Sequence, residues 1–287
     1  MDKFRLYTGL VRNGKWFNYA ESQPVQGGTL AMLDSGDKTG AGRLLTLIKG
    51  AVKNLYTEDG EKYELGVADY PTISAVDSWK IGYEQIKIIT GEPFPVIPES
   101  FFCNRCSRAN SEKYTEVYDS WQKLIDDGLI DEFFPIKPDC TFKVELPDPI
   151  EIQGGRTIVG GTFSTIVMRP ITLGDMLSIH KNSEALSTEA NMIYATWDAS
   201  IVSVLGMTER DFNIIKRVPG TFFTKTYIVT QKNRDAIEKA MTDNMLGIDA
   251  TDRKIACKFC GEEIGGYLDF TNFFLPLLPK RSIRSRT

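Results

Sequence analysis

Two Cys-x-x-Cys pairs, FFCNRCS at 101–107 and IACKFCG at 255–261, stand about 150 residues apart in this chain. Four thiolates from two such knuckles make the tetrahedral shell that zinc prefers, and a two-residue spacer lets both sulfurs of one tight turn reach the same ion. The expected metal site is therefore shared: Cys103, Cys106, Cys257 and Cys260 around one zinc. Closing a flexible loop of this length costs roughly 4 to 5 kcal/mol. A structural zinc contributes on the order of 10 to 16 kcal/mol of apparent free energy, so the metal wins. Ser107 and Gly261 follow the knuckles, where a small residue leaves room for backbone N–H groups to approach sulfur or for a left-handed turn. Phe101-Phe102 and Ile255-Ala256 are suitable strand ends feeding the two turns.

Other uses of these cysteines fit less well. A redox Cys-x-x-Cys belongs at a helix N-terminus after a central strand, and two of them would be odd. Two local disulfides between cysteines three apart would be strained. A shell filled by four sulfurs leaves no open position for water or substrate, so the expected zinc is structural. Cys140, in PIKPDCTFKVE, reads as a lone half-buried thiol, and His180, the only histidine, as a helix-surface or capping residue.

Five cysteines in 287 residues are too few for a secreted disulfide framework, which points to folding in a reducing compartment. The start MDKFRLYTGLVRNGKW has no apolar stretch behind a basic residue, so no signal peptide is expected. No apolar run reaches the roughly 18 residues of a membrane span. The net charge of −4 gives no general drive toward nucleic acid, and the basic end KRSIRSRT reads as a solubilising tail.

Hydrophobic periodicity predicts a helix over 38–56, with Leu44, Leu47, Ile48, Ala51, Val52 and Leu55 on one face. A second is predicted over 111–127, with Tyr114, Val117, Tyr118, Trp121, Leu124 and Ile125 on one face and a stop at Gly128. From 141 to 172 the pattern alternates, predicting a short antiparallel meander with turns at Gly154-Gly155 and Gly160-Gly161, and with Pro147, Pro149 and Pro170 at strand ends. A mainly helical stretch to about Arg217 follows, lined by Ile193, Trp197, Ile201, Val204 and Leu205 and closed by Gly206. Thr208 with Asp211 offers a capping box, 221–230 is rich in strand formers, 233–246 reads as an Asn-capped helix, and 254–274 returns to strands. The fold class is α+β: a half over 1–140 and a half over 141–287, mixed in helix and strand and joined at the zinc-ribbon-like site. Internal duplication finds little support outside the knuckles.

Catalytic machinery is not expected. A single histidine would have to serve every Ser-His-Asp or Cys-His scheme, and no Gly-x-Ser-x-Gly or His-Glu-x-x-His string occurs. SGDKTGAGRLL lacks the order of a phosphate loop and reads as a turn before the first helix. Asp126-Asp127 and Asp131-Glu132 read as solvated faces. No small-molecule substrate is implied.

IVMRPITLGD at 166–175, a strand leaving through Arg-Pro-hydrophobic-Thr into a helix, and the late knuckle CKFCGEEIGGYLDFTNFF at 257–274 resemble zinc-knuckle baseplate and tail-hub proteins of contractile-tailed, T-even-like bacteriophages. FFCNRCSR is similar to the first knuckle of that family. The aromatic finish Asp269, Phe270, Phe273 and Phe274 narrows the likeness, which covers the C-terminal half well and the first 100 residues poorly. Ser107, where that family often has Gly, is a departure. The resemblance implies a structural virion protein of the tail baseplate, made in the host cytoplasm and assembled with other tail proteins. Phe273-Phe274-Leu275-Pro276-Leu277-Leu278 would suit an interface or an end strand on its own core. A tail-assembly chaperone absent from the finished particle would share these features. A zinc-ribbon nucleic-acid binder, suggested by Arg105, Arg108, Lys258 and the basic tail, has the acidic net charge against it.

Overall fold

A computed structural model describes residues 3–36, 39–90, 103, 105–108, 125–126, 131–181, 189–216, 223–228, 230–249 and 254–265. Among the described residues, the largest sheet begins where periodicity gave no assignment and takes its third strand from the end of the helix predicted over 38–56. Strands β1 (Lys3–Arg12) and β2 (Lys15–Glu21) form an antiparallel hairpin whose turn residues Asn13 and Gly14 have φ of 52° and 73°. Asn-Gly is the pair that two left-handed turn positions favour, and it was the signal available. β3 (Asn54–Tyr56) and β4 (Lys62–Glu64) extend the sheet in the order β1-β2-β3-β4.

β1 slips register between Arg5 and Leu10. Gly9 takes φ of 63°, and a Cβ there would stand 2.5 Å from the Phe17 carbonyl oxygen, so no other residue fits. The bulge turns N–H groups away from β2, and Asp77 receives them: Tyr7, Thr8 and Gly9 all donate to its buried carboxyl group. Asp77 lies in the first turn of α3 (Ala75–Thr90), where its own N–H donates to Ser74 Oγ. One side chain thus satisfies the irregular strand and fixes a helix across it.

Between these elements lie α1 (Gly27–Ser35) and α2 (Gly40–Ala51). Thr39 Oγ1 accepts from Gly42 N–H at 3.0 Å and starts α2, which makes Gly40 to Arg43 its first turn instead of a preceding loop. Leu44, Leu47, Ile48 and Ala51 face the core as expected, but the helix is shorter than 38–56. Val52 is extended and Leu55 lies on β3; both still point into the same core, which is why they matched the helical spacing.

A second core forms around β6 (Phe142–Ile152), β7 (Gly161–Met168) and β8 (Ile201–Val204), paired antiparallel in that order. The expected hairpin is present, with the glycines at its turn, where a Cβ on Gly160 would stand 2.2 Å from Gly154 N. Pro147 and Pro149, expected at strand ends, instead sit inside β6 at a register shift between Glu145 and Ile150. Prolines without N–H groups are tolerated at such a bulge.

Helices α4 (Leu173–Lys181) and α5 (Glu189–Ser200) follow β7. The helix expected to continue through Ile201 and Val204 ends at Ser200, and both residues belong to β8, where β-branched side chains complete the sheet against β7. Trp197 is buried with them, whereas Ile193 and Leu205 are exposed. Gly206, at φ of 86°, serves the turn after β8. Thr208 Oγ1 does cap α6 (Glu209–Lys216), accepting from Asp211 N–H at 3.1 Å.

Within the stretch 221–230, expected to be rich in strand, Phe223–Tyr227 form the short helix α7, and Phe223 and Ile228 pack in the second core. α8 (Gln231–Asp243) is capped by Thr230, whose Oγ1 accepts from Asn233 N–H. Asn233, expected to be the cap, is buried within the helix for another purpose. Its side chain donates to Asp148 O at 2.8 Å and accepts from Asp148 N–H at 3.0 Å, acting as the missing ladder partner of the proline-flanked bulge.

Two stitches join the cores. The Arg169-Pro170 exit from β7 runs beside the start of α3, with Leu173 N–H donating to Ile73 O and Ala75 N–H to Ile171 O, both at 2.8 Å, and Leu173 packs in the first core. Within the exit, Asp175 Oδ2 accepts from Thr172 N–H and from Arg169 Nη1, each at 2.8 Å, which holds the strand-to-helix turn closed. β5 (Asp131–Phe133) then pairs antiparallel with β9 (Gly247–Asp249), residues from the expected first and second halves. The predicted helix at 111–127 lies outside the described residues apart from 125–126, which are helical, and so do the apolar segment at 273–278 and the basic tail.

Candidate metal centre

The second knuckle sits in a hairpin of β10 (Lys254–Ala256) and β11 (Glu263–Gly265). Its turn is set by two backbone bonds: Cys257 N–H donates to Glu262 O at 2.8 Å, and Gly261 N–H donates to Cys257 O at 2.8 Å. The first knuckle repeats both at the same offsets, Cys103 N–H to Arg108 O at 3.1 Å and Ser107 N–H to Cys103 O at 2.8 Å. Both turns need a left-handed residue after the second cysteine, and Gly261 (φ 72°) and Ser107 (φ 53°) supply it. Glycine takes that shape freely, whereas a serine carries a cost of about 1 kcal/mol there.

The two turns face each other. Cys103 Sγ lies 3.6 Å from Cys260 Sγ and Cys106 Sγ 3.7 Å from Cys257 Sγ, and all four sulfurs fall within 4.8 Å of one another. A disulfide would bring sulfurs to about 2.05 Å, and these cysteines are free. A tetrahedron of thiolates around zinc at about 2.3 Å has edges of about 3.8 Å. The sequence-predicted set is therefore brought together in a shape that fits a tetrahedral ion, and these four residues make a candidate metal-binding centre.

Loss of solvent raises the Cys106 thiol and hydrogen bonds with Cys257 and Cys103 add to it, against the lowering by the Arg108 backbone and Cys260. A hydrogen bond with the Glu262 backbone pulls Cys260 down, yet desolvation and the other three sulfurs push it up to about 12. A divalent ion reverses that preference, since it binds the thiolates and releases their protons.

The first cysteine of each knuckle is buried and the second is not: Cys103 and Cys257 are 0% and 2% exposed, Cys106 is half-buried and Cys260 exposed. Across the centre, Arg105 Nη1 donates to Glu262 Oε2 at 2.7 Å, an exposed pair. Sequence spacing carried no signal for it. Arg108 and Lys258 both stack on the half-exposed ring of Phe259, 5.1 Å from its centroid.

The remaining candidates stay apart from the four sulfurs. Cys140 is half-buried, as expected, and burial with Asp77 and Asp139 nearby pushes its thiol up to about 12. His180 lies in the last turn of α4. Glu132 is not on a solvated face: it sits on β5, where its carboxylate accepts from Tyr7 OH at 2.6 Å and Lys80 Nζ at 2.9 Å. Lys80 in turn stacks over the Tyr7 ring at 4.3 Å, and burial together with Glu132 raises the Tyr7 phenol well above its ordinary value. Among the described residues, no helix is long and apolar enough to cross a membrane.

Fold and site together define an α+β protein with a four-cysteine centre that clasps two distant segments. No family model, curated protein or solved structure matches the chain.

Proposed function

We propose that the four cysteines hold one structural zinc and that the chain is a non-enzymatic building block of a bacteriophage tail baseplate, at or near the hub, assembled through contacts with other tail proteins in the host cytoplasm. The observation that carries the zinc reading is the meeting of four sulfurs from two knuckles of the same backbone design. Bound there, zinc supplies a cross-link and charge neutralisation, with no position left for substrate. The chain's own residues do the rest: paired turns pre-orient the sulfurs, and the Arg105–Glu262 pair aligns the two knuckles.

The baseplate reading is supported by the sequence likeness in 166–175 and 257–274, and by the way the first of these stretches is used. The Arg-Pro exit joins two cores, a placement suited to a stiff body that transmits load. Mass spectrometry of purified particles tests it: a virion component persists at fixed stoichiometry, whereas absence from finished particles replaces this reading with an assembly chaperone. Nucleic-acid binding has less support. Arg105 is already committed to Glu262, and a phosphate-contacting protein would show binding that falls steeply as salt rises.

A further inference from the structure

We propose that the cysteine centre is also an oxidant-responsive modification site, in which peroxide converts the four thiolates into two disulfides that cross between the knuckles, Cys103–Cys260 and Cys106–Cys257. The proposal rests on the zinc reading for the starting state and on geometry for the pairing. Both short sulfur contacts cross from one knuckle to the other, and each joins an outer cysteine to an inner one. Cys260 is exposed and Cys106 half-buried, so an oxidant meets those sulfurs first; their partners Cys103 and Cys257 are buried and shielded from direct attack. With zinc holding the sulfurs as thiolates, an accessible attacking sulfur beside a protected resolving one is the arrangement that stops oxidation at the disulfide instead of running on to sulfinic acid.

The chemistry balances. Cys260 Sγ attacks one oxygen of hydrogen peroxide and breaks the O–O bond, becoming a sulfenic acid while the departing hydroxide takes up a proton and leaves as water. Cys103 Sγ then attacks the sulfenic sulfur and expels its hydroxide, which leaves as a second water once protonated. Cys106 and Cys257 repeat the sequence with a second peroxide. Four thiolates, two peroxides and four protons give two disulfides and four waters, and the divalent ion is freed because disulfide sulfur is not a thiolate ligand.

Local closure within each Cys-x-x-Cys would have to reshape a turn pinned at both ends by backbone bonds, whereas cross-pairing draws together side chains that already face each other. The crossed product keeps 103–108 fastened to 257–262 after the metal has gone. Oxidation would then exchange a metal clasp for a covalent one and leave the join intact.

The test treats the full chain, purified with and without one equivalent of zinc, with hydrogen peroxide. Released zinc is followed with a colorimetric chelator, and disulfides are mapped by non-reducing peptide mass spectrometry. Expected are loss of four hydrogens per chain relative to the free thiols, zinc release in step with it, and linked peptides for Cys103–Cys260 and Cys106–Cys257. Reduction with a dithiol followed by zinc should restore full metal content. Linked Cys103–Cys106 or Cys257–Cys260 peptides, sulfinic acid as the main product, or persistence of four thiols would overturn the proposal. Failure to bind zinc while the crossed disulfides still form would sink the metal reading and leave the pairing standing. In Cys260→Ser, Cys103 loses its partner, and the crossed Cys106–Cys257 peptide alone should remain.

Discussion

Asp77 shows how a single buried carboxyl group can hold an irregular strand in place. It accepts N–H groups of Tyr7, Thr8 and Gly9 that the bulge in β1 turns away from β2. Asp77→Ala would leave them buried without partners, at about 3 kcal/mol or more; a urea denaturation curve should show the loss, and an unchanged midpoint would mean that water replaces the carboxylate. Asp198 makes the opposite kind of demand. Burial is the largest influence on it and lifts its carboxyl to about 6, despite the Thr224 N–H that donates to it at 2.7 Å. Because the folded state holds this proton more tightly than the unfolded one, the group's contribution is fully present below pH about 4 and is lost as pH rises to about 6, roughly 3 kcal/mol in all. Asp198→Asn, which keeps an acceptor for Thr224, should flatten the stability profile in that window and raise stability at pH 7. A slope unchanged in the variant would assign the pH dependence to other groups.

At the scale of elements, α8 is tied to the sheet through Asn233, whose amide pairs with the backbone of Asp148 at the register shift in β6. Asn233→Ala should cost about 2 to 3 kcal/mol, and Thr230→Ala, which removes only the helix cap, about 1 kcal/mol. Equal costs in thermal unfolding would mean that the bridge to Asp148 contributes nothing beyond the cap. Asn233 also shows where sequence patterns stop being legible. Asparagine before an amphipathic run is a sound cap signal, but the use of its side chain depends on a bulge about 85 residues earlier. The same limit applies to Ile201 and Val204, whose helical spacing matched a face although tertiary pairing with β7 made them a strand. What could be read directly was local: the apolar stripe of α2, the hairpin of β6 and β7, the cap at Thr208 and the knuckle turns. The two Cys-x-x-Cys pairs were legible because the spacing within each is a short-range pattern, whereas their meeting comes from the fold. The Arg105–Glu262 pair and the burial difference between inner and outer sulfurs were not, since both depend on how the knuckles meet.

For the whole molecule, the four-cysteine centre is one meeting of distant segments among several. The β5–β9 ribbon and the Arg-Pro exit beside α3 also connect early and late parts of the chain. Removal of zinc by a strong chelator should therefore speed amide hydrogen exchange in 103–108 and 254–265 while α2 and β7 keep their protection. Fast exchange throughout would make the metal a requirement of the entire fold, as in small zinc domains that unfold without it. The sharpest test of the central claim is X-ray absorption at the zinc edge of the purified chain. One zinc per chain with four sulfur neighbours at about 2.3 Å is the predicted result; nitrogen or oxygen neighbours in the shell, or metal far below one equivalent, would contradict it.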